Sequence, residues 1–332
     1  MAFHQDVLKI DPAAVTDELV GALRRDIVET LRRRGAVVGI SGGVDSSVVL
    51  ALCVRAMGAE RVLGVMMPEQ DSSTSSVRLA QLVADRFGVE AVIEDMTAAL
   101  AGLGCYERRD EAIRRVFPEY TAGYKAKIGL PGNVLDSDTL NIFYLTIISP
   151  DGEEKSKRLT LRDYLQIVAA SNFKQRSRMT MLYYHAELRN YAVVGTPNRN
   201  EHDQGFFVKW GDGGYDVGPI RHLFKTQVYQ LAEYLDVPAE IRNAVPTTDT
   251  YSAHSSQEEF FFRLPFETMD LLWYALDHGV PPAEAARVMG LSEEQVERVF
   301  ADIIRKQRTT EYLRTLPIEY GRGRESDEGE AR

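Results

Sequence analysis

Apolar residues recur at helical spacing over residues 11–34, where Leu19, Val20, Leu23, Ile27 and Leu31 form one stripe. Arginines punctuate the other side. Asp11-Pro12 supplies an N-cap and a proline at the first helical position, where a missing N–H costs nothing. The period then changes. Ala36-Val37-Val38-Gly39-Ile40 is a short apolar run suited to a buried parallel strand, and residues 61–67 and 89–93 read as the next two strands. Helical patterns over 47–57 and 72–87 separate these runs, and Gly88 ends the second. Parallel strands need crossover helices, so the alternation predicts an α/β fold: a doubly wound parallel sheet with flanking helices.

The middle of the chain is less regular. Residues 106–135 carry mixed charge and turn signals. Residues 140–149 and 157–161 then read as strands joined at Pro150-Asp151-Gly152-Glu153, where proline presets φ and glycine is permissive. Residues 106–162 are thus expected to be a hairpin-containing insertion. A long helix over about 162–189 and a buried strand over 191–195 follow. Helices are predicted over 225–235, 239–245, 266–277, 282–289 and 293–313. One domain is expected over 1–320, with 265–315 as its helical C-terminal region. The charged, glycine-containing tail 321–332 cannot bury a core and is expected to be disordered.

Composition narrows the classes. The 332 residues hold 39 Lys+Arg against 49 Asp+Glu, a net charge of −10, which repels nucleic-acid backbones. Residues 281–304 resemble a helix-turn-helix, but their second helix opens Glu293-Glu294-Gln295-Val296-Glu297. That acidic start would face phosphate badly, so a packed helical hairpin is expected and no nucleic-acid partner. The two cysteines, Cys53 and Cys105, lie in no CxxC, which excludes a disulfide scaffold and a Cys-rich zinc site. No apolar run approaches the roughly 18 residues of a membrane span. Met1–Asp6 has no signal-peptide pattern, so a soluble, cytoplasmic protein is expected.

The strongest chemical signal is Ser41-Gly42-Gly43-Val44-Asp45-Ser46-Ser47, between a predicted strand and a predicted helix. Gly42 and Gly43 let backbone N–H groups approach an anion, and the helix N-terminus adds positive potential. Ser41, Ser46 and Ser47 can donate hydroxyl hydrogen bonds to the same oxygens. No Gly-Lys-Ser/Thr follows, so this is not the loop that holds a γ-phosphate for hydrolysis. Asp45 would repel bare phosphate and makes sense as a ligand of Mg²⁺ on a pyrophosphate.

The string resembles the pyrophosphate loop of the N-type ATP pyrophosphatases. Further runs resemble the ammonia-dependent NAD synthetase family within that group: residues 172–179 from Asn172 to Met179, Gly195-Thr196 with Glu201, residues 204–216, Pro219–Thr226, Pro246–Asp249 and Gln257-Glu258-Glu259. The resemblance implies an adenine nucleotide alpha hydrolase-like fold and an ATP-dependent ligase of the cytoplasm. That ligase would adenylate deamido-NAD, release pyrophosphate and transfer ammonia to give NAD and AMP. It implies Mg²⁺ on Asp45 and Glu201. ATP would meet Ser41, Gly42, Gly43, Asp45, Ser46, Ser47, Met66, Arg176, Thr196, Lys225 and Thr247. The dinucleotide would meet Asn172, Arg176, Lys209, Asp212 and Asp216. Asp45, Lys225 and Asp212 would be catalytic, and a homodimer is implied.

Some positions depart from the family pattern. Pro197 follows Thr196 where Asp or Gly is usual, and Arg305-Lys306 stands in place of His-Lys. The insertion is the largest departure, and an acceptor other than deamido-NAD remains open on that account. A tRNA thiolase would share the loop but needs sulfur-handling cysteines, and Cys105 is isolated. A glutamine amidotransferase needs a nucleophilic cysteine domain, whereas this chain opens Met1-Ala2. Ammonia is therefore expected free or from a separate glutaminase subunit.

Overall fold

A computed structural model describes residues 2–130, 132–136, 143–246, 251–253 and 256–320. Thr247 and the tail 321–332 lie outside the described residues. So do residues 140–142 of the expected strand.

Helix α1 (Pro12–Arg24) starts on Asp11, whose carboxylate accepts from the Ala13 and Ala14 N–H groups. It runs into a π-helical turn, Arg25–Thr30, so the regular helix is shorter than its apolar stripe. There follow β1 (Ala36–Gly39), α2 (Val44–Met57), β2 (Val62–Met66), α3 (Thr74–Phe87) and β3 (Glu90–Ile93). Two helices come next, α4 (Thr97–Gly102) and α5 (Cys105–Val116), then β4 (Lys125–Gly129), β5 (Tyr144–Ile148) and β6 (Glu154–Arg158). The long α6 (Leu161–Arg189) leads to β7 (Ala192–Val194), α7 (Arg199–Gln204), α8 (Lys225–Tyr234) and α9 (Ala239–Arg242). A π-helical turn, Glu258–Phe262, precedes α10 (Phe266–Asp277), α11 (Pro282–Met289), α12 (Glu293–Thr309) and α13 (Glu311–Arg314).

Four parallel strands make the main sheet in the order β3-β2-β1-β7. Period-two alternation sends Val37, Leu63, Val65 and Val193 to one face, against Met179, Leu182 and Ala186 of α6. Ala36, Val38, Val62, Ala192 and Val194 fill the other face with α1, α2 and α8. Both faces are covered, as the doubly wound reading requires. The strand order reverses at β1, which has β2 on one side and β7 on the other. Ligands of open α/β sheets bind at such a point, outside the carboxyl ends of the strands.

The insertion is more ordered than its sequence suggested. α5 escaped the reading because Arg109, on its inner side, is only 3% exposed and broke the apolar stripe. β4, β5 and β6 form an antiparallel sheet, with the turn where Pro150 to Glu153 placed it. The last strand falls at 154–158, earlier than expected, with all five side chains exposed. Its charges blunt a free sheet edge. The C-terminal helices α10, α11 and α12 bury Trp273, Val296, Val299 and Ile303 in their own core with Phe3 and Leu8. That packed hairpin is the expected alternative to a DNA reader. Among the described residues, no helix is long and apolar enough to cross a membrane.

Candidate active site

A cavity of about 560 Å³ opens where β1 and β7 end. Its floor is the β1–α2 turn. Gly42 has φ +82°, and a Cβ there would stand 2.6 Å from the Ser76 carbonyl oxygen, so only glycine lets the turn pass beneath α3. α2 begins at Gly43 without a side-chain cap, which leaves its N-terminal dipole directed at the cavity. The serines brace the turn. Ser46 and Ser47 donate to the Gly43 carbonyl at 3.1 and 2.8 Å, while Ser41 Oγ accepts from the Gly43 N–H at 3.3 Å.

β7 delivers the second half. Gly195 is tight: a Cβ there would lie 2.2 Å from the Tyr215 ring. Thr196 follows into the cavity wall. Asn198 then caps α7, accepting the Glu201 N–H at 3.0 Å, while Glu201 Oε2 accepts the Asn198 N–H at 3.2 Å. This capping box aims Glu201 at the β1 turn. Asn198 also reaches across, donating through Nδ2 to Asp45 Oδ1 at 2.9 Å. Gln257 donates to Glu201 Oε1 at 3.2 Å.

Lys225 completes the group. It opens α8, is fully buried, and its Nζ donates to Asp45 Oδ2. Burial works against its charge, but Asp45 and Glu201 together hold the ammonium above the usual lysine value. Burial likewise pushes the Glu201 carboxyl up to about 8, the Asp45 carboxylate adding to the effect and Lys225 opposing it. Once Glu201 ionises, two carboxylates face one ammonium, and the balance then favours a further cation. Behind Lys225, Asn200 accepts its backbone N–H at 3.0 Å, and buried Asp270 accepts the Thr226 N–H at 2.9 Å.

Asp212 lines the cavity and accepts the Val208 N–H at 2.8 Å. Burial raises its carboxyl to about 6, while that hydrogen bond pulls the other way. Above the site, Lys174 of α6 lies buried between Glu69 Oε1 at 3.0 Å and Asp71 Oδ2 at 2.6 Å. Arg109 of α5 also binds Asp71, and Tyr106 donates to Glu69 Oε2 at 2.8 Å. This network ties the loop after β2 to both the insertion and α6.

A model of the NAD synthase family matches residues 15–114 and 140–317. The NH(3)-dependent NAD(+) synthetase of Mesorhizobium japonicum is 53% identical over 94% of this chain and 98% of its own length. That of Thermotoga maritima is 35% identical over 90% and 96%. The chain belongs to the NAD synthase family. Two solved structures share the fold at 20% identity and TM-score 0.60: NH3-dependent NAD synthetase from Campylobacter jejuni and NMN synthetase from Francisella tularensis. Each aligns over 94% of this chain, and over 100% and 99% of its own length respectively.

The residues singled out from the NAD synthase pattern fall into two groups. Ser41, Gly42, Gly43, Asp45, Ser46, Met66, Asn172, Thr196, Glu201, Asp212 and Lys225 all line the cavity. Ser47 is buried beneath the turn. Among the other described ones, Arg176, Lys209 and Asp216 stand outside it. Exposed Arg176 donates to the Lys209 carbonyl at 3.2 Å, and Lys209 donates to the carbonyls of Tyr312 and Thr315 at 2.9 and 2.6 Å. Asp216 accepts from Tyr183 OH and from the Val193 N–H, both at 2.8 Å, and so fastens the segment after Tyr215 to β7. Sequence reasoning gave no role to Arg178 and Gln257, which line the cavity, or to Asn198, which binds Asp45. Asn198 had a legible signal, since Asn-x-x-Glu before a helix is a capping-box pattern.

Proposed function

We propose that the chain makes NAD by amidating the nicotinate carboxylate of deamido-NAD. The carboxylate attacks the α-phosphate of ATP, pyrophosphate leaves, and ammonia then displaces AMP. One observation carries the reading: an uncapped helix start, a buried lysine and two carboxylates meet at the point where the strand order reverses. Phosphoryl-type displacement demands positive charge around the leaving group, with little covalent work for the protein. Turn 41–47 and Lys225 would grip the departing diphosphate. Asp212, ionised in the main above pH 6, is suited to take a proton from ammonium.

Asp45 and Glu201 are hard oxygen donors and fit Mg²⁺. Among the described residues no three His, Cys, Asp or Glu side chains group as a metal cage, so phosphate oxygens would complete the shell. The cation would neutralise charge on the leaving pyrophosphate. We further propose a homodimer in the cytoplasm: Leu165, Tyr184 and Leu188 of α6 are each more than half exposed and give a second copy apolar surface to cover. Ammonia would enter free or from a separate glutaminase subunit.

The test is incubation with ATP, Mg²⁺ and ammonium, with and without deamido-NAD. AMP and NAD should appear together and only with the acceptor. Release of ADP, or AMP formation indifferent to deamido-NAD, overturns the reading. Sedimentation at micromolar concentration tests the dimer.

A further inference from the structure

Two residues of the C-terminal helical region reach under the charged group. α10 carries Phe266 at its start and Asp270 four residues on, so the two side chains lie on one face. The Lys225 ammonium stands 5.6 Å from the centre of the Phe266 ring. Glu258 Oε1 accepts the Phe266 N–H at 2.8 Å, and Gln257 beside it holds Glu201. Asp270 is wholly buried, and its carboxylate binds across two helix starts. Oδ1 accepts from Asn200 Nδ2 of α7, and Oδ2 accepts the Thr226 N–H of α8 at 2.9 Å.

α8 opens without a side-chain cap of its own. Its first two N–H groups, which no helical carbonyl can take, go to Asn200 Oδ1 at 3.0 Å and to Asp270. The three groups close a ring: Asp270 orients Asn200, Asn200 holds the backbone of Lys225, and Asp270 holds the next residue. An asparagine at 270 would fill the same space but offers one acceptor oxygen, so one of the two donors would lose its partner. A carboxylate costs more to bury. Burial raises its carboxyl to about 6, while Asn200, Thr226 and the Lys225 charge favour the ionised form. Neither Asp270 nor Asn200 lines the cavity.

We propose that Asp270 is the positioning residue of Lys225, fixing the first turn of α8 so that the ammonium meets the diphosphate as it leaves. The inference rests on the amidation reading, which gives Lys225 that task. Asn200 holds the backbone of Lys225, and Asp45 holds its Nζ. The diphosphate must compete for the ammonium with Asp45, so the backbone contact is what keeps the group in place during the displacement. A shift of about 1 Å at such a group is enough to cost about 10²-fold in rate. The phosphates of bound ATP would rest on turn 41–47, so ground-state binding depends little on this ring.

Asp270→Asn tests this in the parent and in the Lys225→Met background. In the parent, kcat for AMP formation should fall about 10- to 100-fold, with KM for ATP within about threefold. In Lys225→Met the same change should add no more than about twofold, because the group that Asp270 positions is gone. A structural role would cost the same factor in both backgrounds, and that result overturns the proposal. So does a parent-like kcat in Asp270→Asn. Where Asp270→Asn fails to fold, Asn200→Ala cuts the ring at its middle link and must show the same dependence on Lys225. No deamido-NAD-dependent AMP from the parent chain would overturn the amidation reading, and this inference with it.

Discussion

The two ends of the cavity are built by opposite means. At the sheet end, charge is concentrated by short local devices: a glycine turn, a capping box and a helix start, each within a few residues of sequence. At the insertion end, the wall is apolar and comes from β4, the approach to β5, the start of α6 and Tyr251, brought together over 120 residues of chain. Polarity is gathered where the backbone itself provides it. The apolar wall is made of side chains that only packing can assemble.

The contrast can be broken most severely at Lys225. Lys225→Met should cut AMP formation by about 10³-fold, the scale of losing one preorganised charge at a developing anion. Retention of turnover within tenfold would show that the charged end is not the chemical end. Asp45→Ala should lose AMP formation to a similar extent while the chain stays folded by circular dichroism.

Lys174 joins the two ends, so its loss should appear in stability as well as in rate. Lys174→Met strands Glu69 and Asp71 as buried carboxylates without their ammonium. The expected cost is about 3–5 kcal/mol, read from urea unfolding. A variant as stable as the parent would separate the two ends mechanically.

A smaller effect concerns protons. Glu201, held up to about 8 by burial and Asp45, must release its proton to take a divalent cation. Apparent Mg²⁺ affinity should therefore fall as pH drops below about 8, by up to about tenfold per pH unit. Glu201→Gln should weaken binding and flatten that slope. Titrations at three pH values measure both. Asp212 sets a second limb: kcat should decline as pH falls through about 6, where its carboxylate is protonated, and Asp212→Asn should remove that limb.

The smallest change expected lies away from both ends. Ser292 caps α12, accepting the Gln295 N–H at 3.2 Å. Ser292→Ala should cost about 1 kcal/mol in unfolding with kcat intact. A large loss of activity would mean the helical C-terminal region does more than support the site.

Much of the sheet end was legible. The apolar runs at 36–40, 61–67 and 191–195 marked β1, β2 and β7, because strands covered on both faces cannot alternate with polar residues. The turn at 41–47 announced itself through glycines that tolerate few alternatives. The insertion hid for the converse reason. α5 carries a buried arginine on its inner face, and β6 is polar on both faces, so neither shows the period of its element. Arg176 and Arg178 show the same limit at one residue's scale. Two steps along a helix turn them about 200° apart. Only α6 in place shows that Arg178 lines the cavity and donates to the Met67 carbonyl, while Arg176 faces out.

Sequence alone therefore settled the class of fold, the family pattern and the place of the glycine turn at 41–47, since each depends on neighbours a few residues apart. Tertiary structure decided the rest. It chose which charges face Asp45, how far Glu201 holds its proton, and which aromatic rings meet beneath the insertion. Those outcomes depend on burial and on pairings between distant segments, and neither quantity is encoded in any local stretch of residues.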